Sequence, residues 1–167
     1  MKSPHHLKTW YGTALLAVFI VVVISLGFLT GCSLRLDEEN AEPFAERALV
    51  REVIDGDTVR LEDGRRVRYL GIDTPEIGEY FYDEATARNR ELVEGKMVDL
   101  EPGSKDLDEF DRMLRYVYID GLFVNAELVA QGYAKAYRKG PREEYSEYLF
   151  QLEEEARANK LGLWAQP

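Results

Sequence analysis

Val53-Ile54-Asp55-Gly56-Asp57-Thr58-Val59 and, further on, Val67-Arg68-Tyr69-Leu70-Gly71-Ile72-Asp73-Thr74-Pro75-Glu76 decide how this chain is read. Short β-branched runs alternate with turn residues, the pattern of strands joined by tight loops. Three acids, Asp57, Asp73 and Glu76, stand at the loop mouths with Arg68 between them. Carboxylates at adjoining loops can hold a hard divalent cation through oxygen. A further carboxylate can act as general base, and an arginine can grip a phosphate with two parallel hydrogen bonds. A second arginine follows in Asp108-Glu109-Phe110-Asp111-Arg112. Together these are the parts needed for metal-assisted phosphodiester chemistry.

Each part also has a plainer reading. Asp-Gly is a common hairpin turn, so Asp55-Gly56 can be a turn alone, as Asp63-Gly64 and Asp120-Gly121 are expected to be. Asp73-Thr74-Pro75-Glu76 can simply end a strand, with proline setting the exit. Arg112 by itself reads as a solvated charge. The joint order of acids and arginines, with strand-like segments between them, favours the site reading.

Working outward, Leu49–Ile54, Thr58–Leu61 and Arg66–Ile72 read as a three-strand meander, and Met97–Leu100 and Leu114–Ile119 as two more strands. Asp83–Glu94 reads as a helix stopped by Gly95, and Asn125–Gln131 as a short helix closed by Gly132. Arg142–Lys160 reads as a third helix, with Tyr145, Tyr148, Leu149 and Leu152 on one stripe. Glu153-Glu154-Glu155 is expected on its solvated face. Five strands and three helices predict an α+β domain, a five-stranded OB-fold β-barrel with three helices, over residues 47–167.

The two motif runs and Asp111-Arg112 resemble the staphylococcal nuclease (thermonuclease) family. So do Tyr82-Asp83-Glu84-Ala85, Val124-Asn125-Ala126-Glu127-Leu128-Val129, Gln131-Gly132-Tyr133-Ala134 and Leu161-Gly162-Leu163-Trp164. The resemblance runs from about Arg47 to the C-terminus. It implies an OB-fold and hydrolysis of DNA and/or RNA. It also implies Ca²⁺ held by the carboxylates of Asp57 and Asp73 and the backbone carbonyl of Thr74. Arg68 and Arg112 match the family's phosphate-binding arginines, and Glu76 the residue that activates or orders the attacking water. An oxygen-only donor set agrees with Ca²⁺ rather than Zn²⁺, since the two histidines, His5 and His6, lie in the leader. Two positions depart from the family: Phe110 stands where a tyrosine hydroxyl reaches the phosphate, and Glu109 replaces a lysine. Tyr137 is the candidate for the base-stacking tyrosine, with packing against the barrel as the alternative. Tyr80, Phe81 and Tyr82 are a lid, a stacking surface or core.

Lys2 and Lys8 precede an uncharged stretch from Thr9 to Leu34, whose apolar run Ala14–Phe28 leads to Leu29-Thr30-Gly31-Cys32. Residues 1–32 resemble a bacterial lipoprotein signal, with Cys32 the lipidated residue after cleavage. The alternative is an uncleaved transmembrane anchor. Both place the domain outside the cytoplasm, membrane-anchored, with positive charge inside. Cys32 is the only cysteine, which excludes an intramolecular disulfide. Residues 33–46 are acidic and weakly apolar and read as a flexible tether. The formal charge is −10, and loss of Lys2 and Lys8 with the leader lowers it by two more. Nucleic-acid binders usually carry a basic footprint. Positive charge here must be local, from Arg68, Arg112 and Arg115, with Lys135, Arg138, Lys139 and Arg142 on a later stretch. The expected substrate is nucleic acid and the expected state a monomer. The other reading is a non-catalytic OB module that binds nucleic acid or protein.

Overall fold

The computed structural model describes residues 46–137 and 144–165. Cys32, the leader and the tether up to residue 45 lie outside the described residues, as do 138–143, the stretch containing Arg138, Lys139 and Arg142. Eight strands follow in chain order: β1 (Glu46–Val53), β2 (Thr58–Leu61), β3 (Arg66–Tyr69), β4 (Ile72–Asp73), β5 (Met97–Leu107), β6 (Met113–Ile119), β7 (Leu122–Phe123) and β8 (Lys135–Ala136). Three α-helices accompany them, α1 (Tyr82–Val93), α2 (Val124–Ala130) and α3 (Ser146–Ala158), with a 3₁₀ turn at Gly162–Trp164. Among the described residues no helix is long and apolar enough to cross a membrane.

The sheet runs β3-β2-β1-β5-β6-β7, and β3 pairs back on β6, closing a five-stranded barrel. All pairings in it are antiparallel except β3 with β6, which is parallel. This is the expected OB-type barrel with three helices. Side chains alternate along each strand. Val59 and Leu61 on β2, Val67 and Tyr69 on β3, and Met113, Val117 and Ile119 on β6 point inward and are buried with Val98, Leu100, Leu128 and Leu149. A fully buried Val or Leu of this kind contributes about 1.5–3 kcal/mol.

Several boundaries differ from the sequence reading for physical reasons. The strand predicted over Arg66–Ile72 ends at Tyr69. Gly71 takes a left-handed φ of 73°, and the chain turns out of the barrel so that Ile72 and Asp73 pair with Ala136 and Lys135 instead. The first strand starts at Glu46, one residue inside the predicted tether, where it pairs with Leu100. β5 continues to Leu107 beyond a register shift, carrying the chain to the Asp108 loop. α3 begins at Ser146 rather than Arg142. Tyr148 lies outside its apolar stripe and is exposed, whereas Glu153 is buried and paired with Arg157 at 3.0 Å. Arg115 is buried too, its guanidinium 2.5 Å from the Asp106 carboxylate. It joins β6 to β5 and adds nothing to a positive surface.

Candidate active site

The loop between β1 and β2 is built around its acids. The Asp55 side chain accepts the Asp57 N–H at 3.0 Å, and Ile54 N–H donates to Thr58 C=O at 2.9 Å. Gly56 is required by proximity: a Cβ there would lie 2.7 Å from Cβ and Oγ1 of Thr74. The absent side chain lets the β1–β2 loop press against the segment after β4, which brings Asp57 to Thr74.

Asp57 is buried at that junction. Its Oδ2 accepts from the Thr74 N–H and the Thr74 hydroxyl, both at 2.9 Å, and lies 3.1 Å from Nη1 of Arg68. Its Oδ1 accepts from the Thr58 hydroxyl at 3.1 Å. Burial raises the Asp57 pKa to about 6, with the Asp55 charge adding to the rise and Arg68 and the Thr74 hydrogen bonds opposing it. Arg68 also reaches Asp73: Nη2 donates to Oδ1 at 2.8 Å. Nη1 donates to the Tyr69 and Ile72 carbonyls, both at 2.9 Å. The turn at Leu70-Gly71 therefore wraps the guanidinium, and Asp57 and Asp73 meet on one cation. The Arg68 Nε–H finds no protein partner among the described residues, which leaves a donor for an incoming oxyanion.

Arg112 is held separately. The Asp108 carboxylate accepts from Arg112 Nε at 2.7 Å, Arg112 N–H at 2.9 Å and Phe110 N–H at 2.8 Å. Burial pushes the Asp108 pKa up, but these donors outweigh it and hold it below the ordinary value. The guanidinium carbon sits 5.4 Å above the Phe110 ring, which is 59% exposed. The parallel pairing of β3 with β6 sets Val67 opposite Met113, both inward. By alternation Arg68 and Arg112 fall on one outer face of adjacent segments, though their side chains engage different carboxylates.

Glu76 is exposed at the start of a turn. Its N–H donates to the Glu79 carboxylate at 2.9 Å, and the Glu79 N–H returns to the Glu76 carbonyl at 2.9 Å. Tyr137 is 43% exposed and anchored through its N–H to the Gly71 carbonyl at 2.8 Å. The structure thus brings Asp57, Arg68, Asp73 and Thr74 into direct contact, while Glu76, Arg112, Phe110 and Tyr137 are held by other partners, Glu79, Asp108 and Gly71.

Three positioning residues were not singled out by sequence. Asp108 anchors the Arg112 loop, and only its place four residues before the arginine hints at this. Asn89 on α1 accepts from the Tyr69 hydroxyl and donates to the Asp55 carbonyl, both at 3.0 Å. Asn125 donates to the Leu70 carbonyl at 2.8 Å, steadying the turn around Arg68. An asparagine within a helix gives no sequence signal of such a role.

The side-chain donors fit a hard cation: the Asp57 and Asp73 carboxylates offer oxygen, with no histidine or cysteine beside them among the described residues. The burial cost on Asp57 is also what a nearby positive charge relieves. Among the described residues no three acidic, histidine or cysteine side chains gather closely enough to hold a metal by themselves.

A small OB barrel whose loops bring two carboxylates onto one arginine defines a class of domains with a charged, oxygen-rich loop site. The family model described as "Staphylococcal nuclease homologue" matches residues 66–166, and the chain belongs to that family. It is 37% identical over 123 residues to "Endonuclease YncB" of Bacillus subtilis (strain 168), covering 67% of this chain and 58% of that one. It is 30% identical over 166 residues to a "Thermonuclease" of Staphylococcus intermedius, covering 94% of this chain and 98% of the relative. With a "Micrococcal nuclease" of Shigella flexneri it shares 32% over 133 residues, 72% of this chain and 75% of the relative. The chain spans about half the length of the two Bacillus endonucleases it matches, 58% and 42%. Nucleases of this family need a divalent metal.

Proposed function

We propose that this chain is a calcium-dependent, extracytoplasmic nuclease that hydrolyses phosphodiester bonds of DNA and/or RNA. The observation that carries the reading is the shared grip of Arg68 on Asp57 and Asp73, at 3.1 and 2.8 Å. In this reading Asp57, Asp73 and the Thr74 carbonyl hold Ca²⁺, with water and substrate oxygens completing the set. Bound there, the cation offsets charge on the phosphate and its transition state. Arg68 offers a phosphate oxygen its Nε–H, which has no partner among the described residues, and Arg112, preoriented by Asp108, takes another. Their charges lie where negative charge grows during attack, usually the largest contribution to catalysis. Glu76, unburied and near Asp73 in the chain, orders or deprotonates the attacking water. Phe110 cannot donate to the phosphate as a tyrosine would, and instead underlies Arg112. Tyr137 stacks on a base. The domain acts as a monomer held at the membrane by lipidated Cys32, or by the uncleaved apolar run as a single-pass anchor.

A second reading, a non-catalytic OB module that binds nucleic acid or protein, is favoured by one observation: Glu76 and Arg112 make their polar contacts with Glu79 and Asp108 rather than with the Arg68 cluster. One experiment separates the two. Circular single-stranded DNA is incubated with the protein in Ca²⁺ and, separately, in chelator. The nuclease reading expects linearised and shortened products only in Ca²⁺. Retarded but intact circles in both would establish the binding module.

A further inference from the structure

Just beyond Glu76 in the chain, two large apolar side chains on one loop are exposed. Ile77 is 81% exposed and Tyr80 51%. The loop is ordered by its own hydrogen bonds, since the Glu76–Glu79 turn closes in both directions and the Tyr82 N–H donates to the Glu79 carbonyl at 3.4 Å. Phe81 then adopts φ 73°, an uncommon backbone state for an aromatic residue. That conformation seats its ring on Tyr133, with centroids 5.4 Å apart and planes 29° from parallel. Tyr80 leans on Phe81 at 5.5 Å and 39°. The result is a three-ring ledge whose outermost ring, Tyr80, stays half in solvent. Its hydroxyl has no hydrogen-bond partner among the described residues.

The β4–β8 ribbon locates this ledge. Asp73 faces Lys135, Ile72 faces Ala136, and Tyr137 bonds to Gly71. Running the other way from Asp73, the ribbon leads to Thr74 on one strand and to Tyr133 on the other. Tyr137 and the Tyr80–Phe81–Tyr133 ledge therefore flank Asp73 from opposite ends of the ribbon.

The charge around the ledge decides what it can bind. Glu76, Glu79, Asp83 and Glu84 all lie within four residues of Tyr80 along the chain, whose net charge is −10. Phosphates are repelled there, but the face of an aromatic ring accepts a nucleobase whatever its sequence. A base inside a duplex has both faces covered by its neighbours, so only an unpaired base can reach Tyr80.

We propose that Tyr80 is a base-stacking residue on the side of Asp73 opposite Tyr137, a contact made with an unpaired base of the substrate. This rests on the nuclease reading above for its kinetic test, while its binding test does not.

The test uses the full chain with one labelled single-stranded DNA oligonucleotide, its duplex, and a series carrying one abasic residue at successive positions. Tyr80→Ala is expected to raise KM on the single strand about tenfold while moving kcat less than twofold, and to leave the duplex unchanged. Tyr80→Trp and Tyr80→Phe should retain wild-type KM. The wild type should lose about tenfold in kcat/KM when the abasic residue occupies one particular position, and Tyr80→Ala should not notice it. Fluorescence anisotropy in chelator measures binding of the same oligonucleotides without cleavage. Tyr80-dependent binding without hydrolysis in Ca²⁺ would keep the stacking role and remove the nuclease reading. Hydrolysis with KM and Kd untouched by Tyr80→Ala, or an equal loss on duplex and abasic DNA, would overturn the stacking role alone. No binding and no cleavage would overturn both.

Discussion

Gly56 and Thr74 approach so closely that a Cβ on Gly56 would lie 2.7 Å from the Thr74 side chain. The contact joins the loop that carries Asp57 to the segment that carries Asp73 and Thr74. Gly56→Ala should therefore separate the two acids as well as strain the fold. The expected loss is about 1–3 kcal/mol, the range for overpacking a tight contact. Urea unfolding measures it, and Ca²⁺ titration by calorimetry should show weakened affinity. An alanine variant with unchanged stability and affinity would mean the junction does not set the site.

Asp57 carries a pH signature. Its folded pKa, about 6, lies above the ordinary 3.8, so the folded state binds this proton more tightly than the unfolded state. Stability from this group is complete below pH 3.8 and is lost as pH rises toward 6. Metal-free protein should show this decline over that window, with a slope of up to about 1.4 kcal/mol per pH unit. Asp57→Asn should flatten that part of the curve in thermal melts recorded from pH 4 to 7. Saturating Ca²⁺ should restore stability to the wild type at neutral pH and leave the variant unmoved.

Asp57→Ala combined with Asp73→Ala should abolish Ca²⁺ binding while the barrel stays folded. The prediction is checked by calorimetry beside circular dichroism. Unchanged affinity would place the cation elsewhere.

Glu76→Gln and Arg112→Ala should each lower kcat by at least about 100-fold on a fluorogenic oligonucleotide, the scale for removing a group that acts in the transition state. Asp108→Ala should follow Arg112→Ala, because it removes both bonds that hold Arg112, one to its Nε and one to its backbone N–H. The double variant should be no worse than Arg112→Ala alone, since both remove one function. Arg115→Ala should instead lower stability and leave kcat within tenfold, because that arginine is buried against Asp106. Equal small effects at Glu76, Arg112 and Asp108 would dismiss their assignment.

Cys32→Ser should abolish lipid attachment, since acylation needs the thiol, and uncleaved precursor should collect in membranes through the Ala14–Phe28 run. Mass spectrometry of the membrane-bound wild type reads the outcome. An intact Met1 would identify a simple transmembrane anchor instead.

Local alternation and turn chemistry made most of the barrel legible in sequence. Val59, Leu61, Val67 and Tyr69 alternate with polar residues, so β2 and β3 and their inward faces follow from a period of two. The helix at Asp83 and the stop at Gly95 rest on equally local rules. The members of the contact cluster were legible too, because Asp57, Arg68, Asp73 and Thr74, which the fold brings together, stand in one recognisable order. Contacts between distant segments were not. Nothing in Arg66–Ile72 announces that the strand breaks at Gly71, since the partners that capture Ile72 and Asp73 are Ala136 and Lys135, far along the chain. Gly56 reads as a turn residue, but its need comes from Thr74 lying against it. Arg115 reads as a free cation until β5 brings Asp106 to it. In each case the chain supplies the group, and only closure of the barrel supplies the partner, so burial and electrostatics there belong to the tertiary structure.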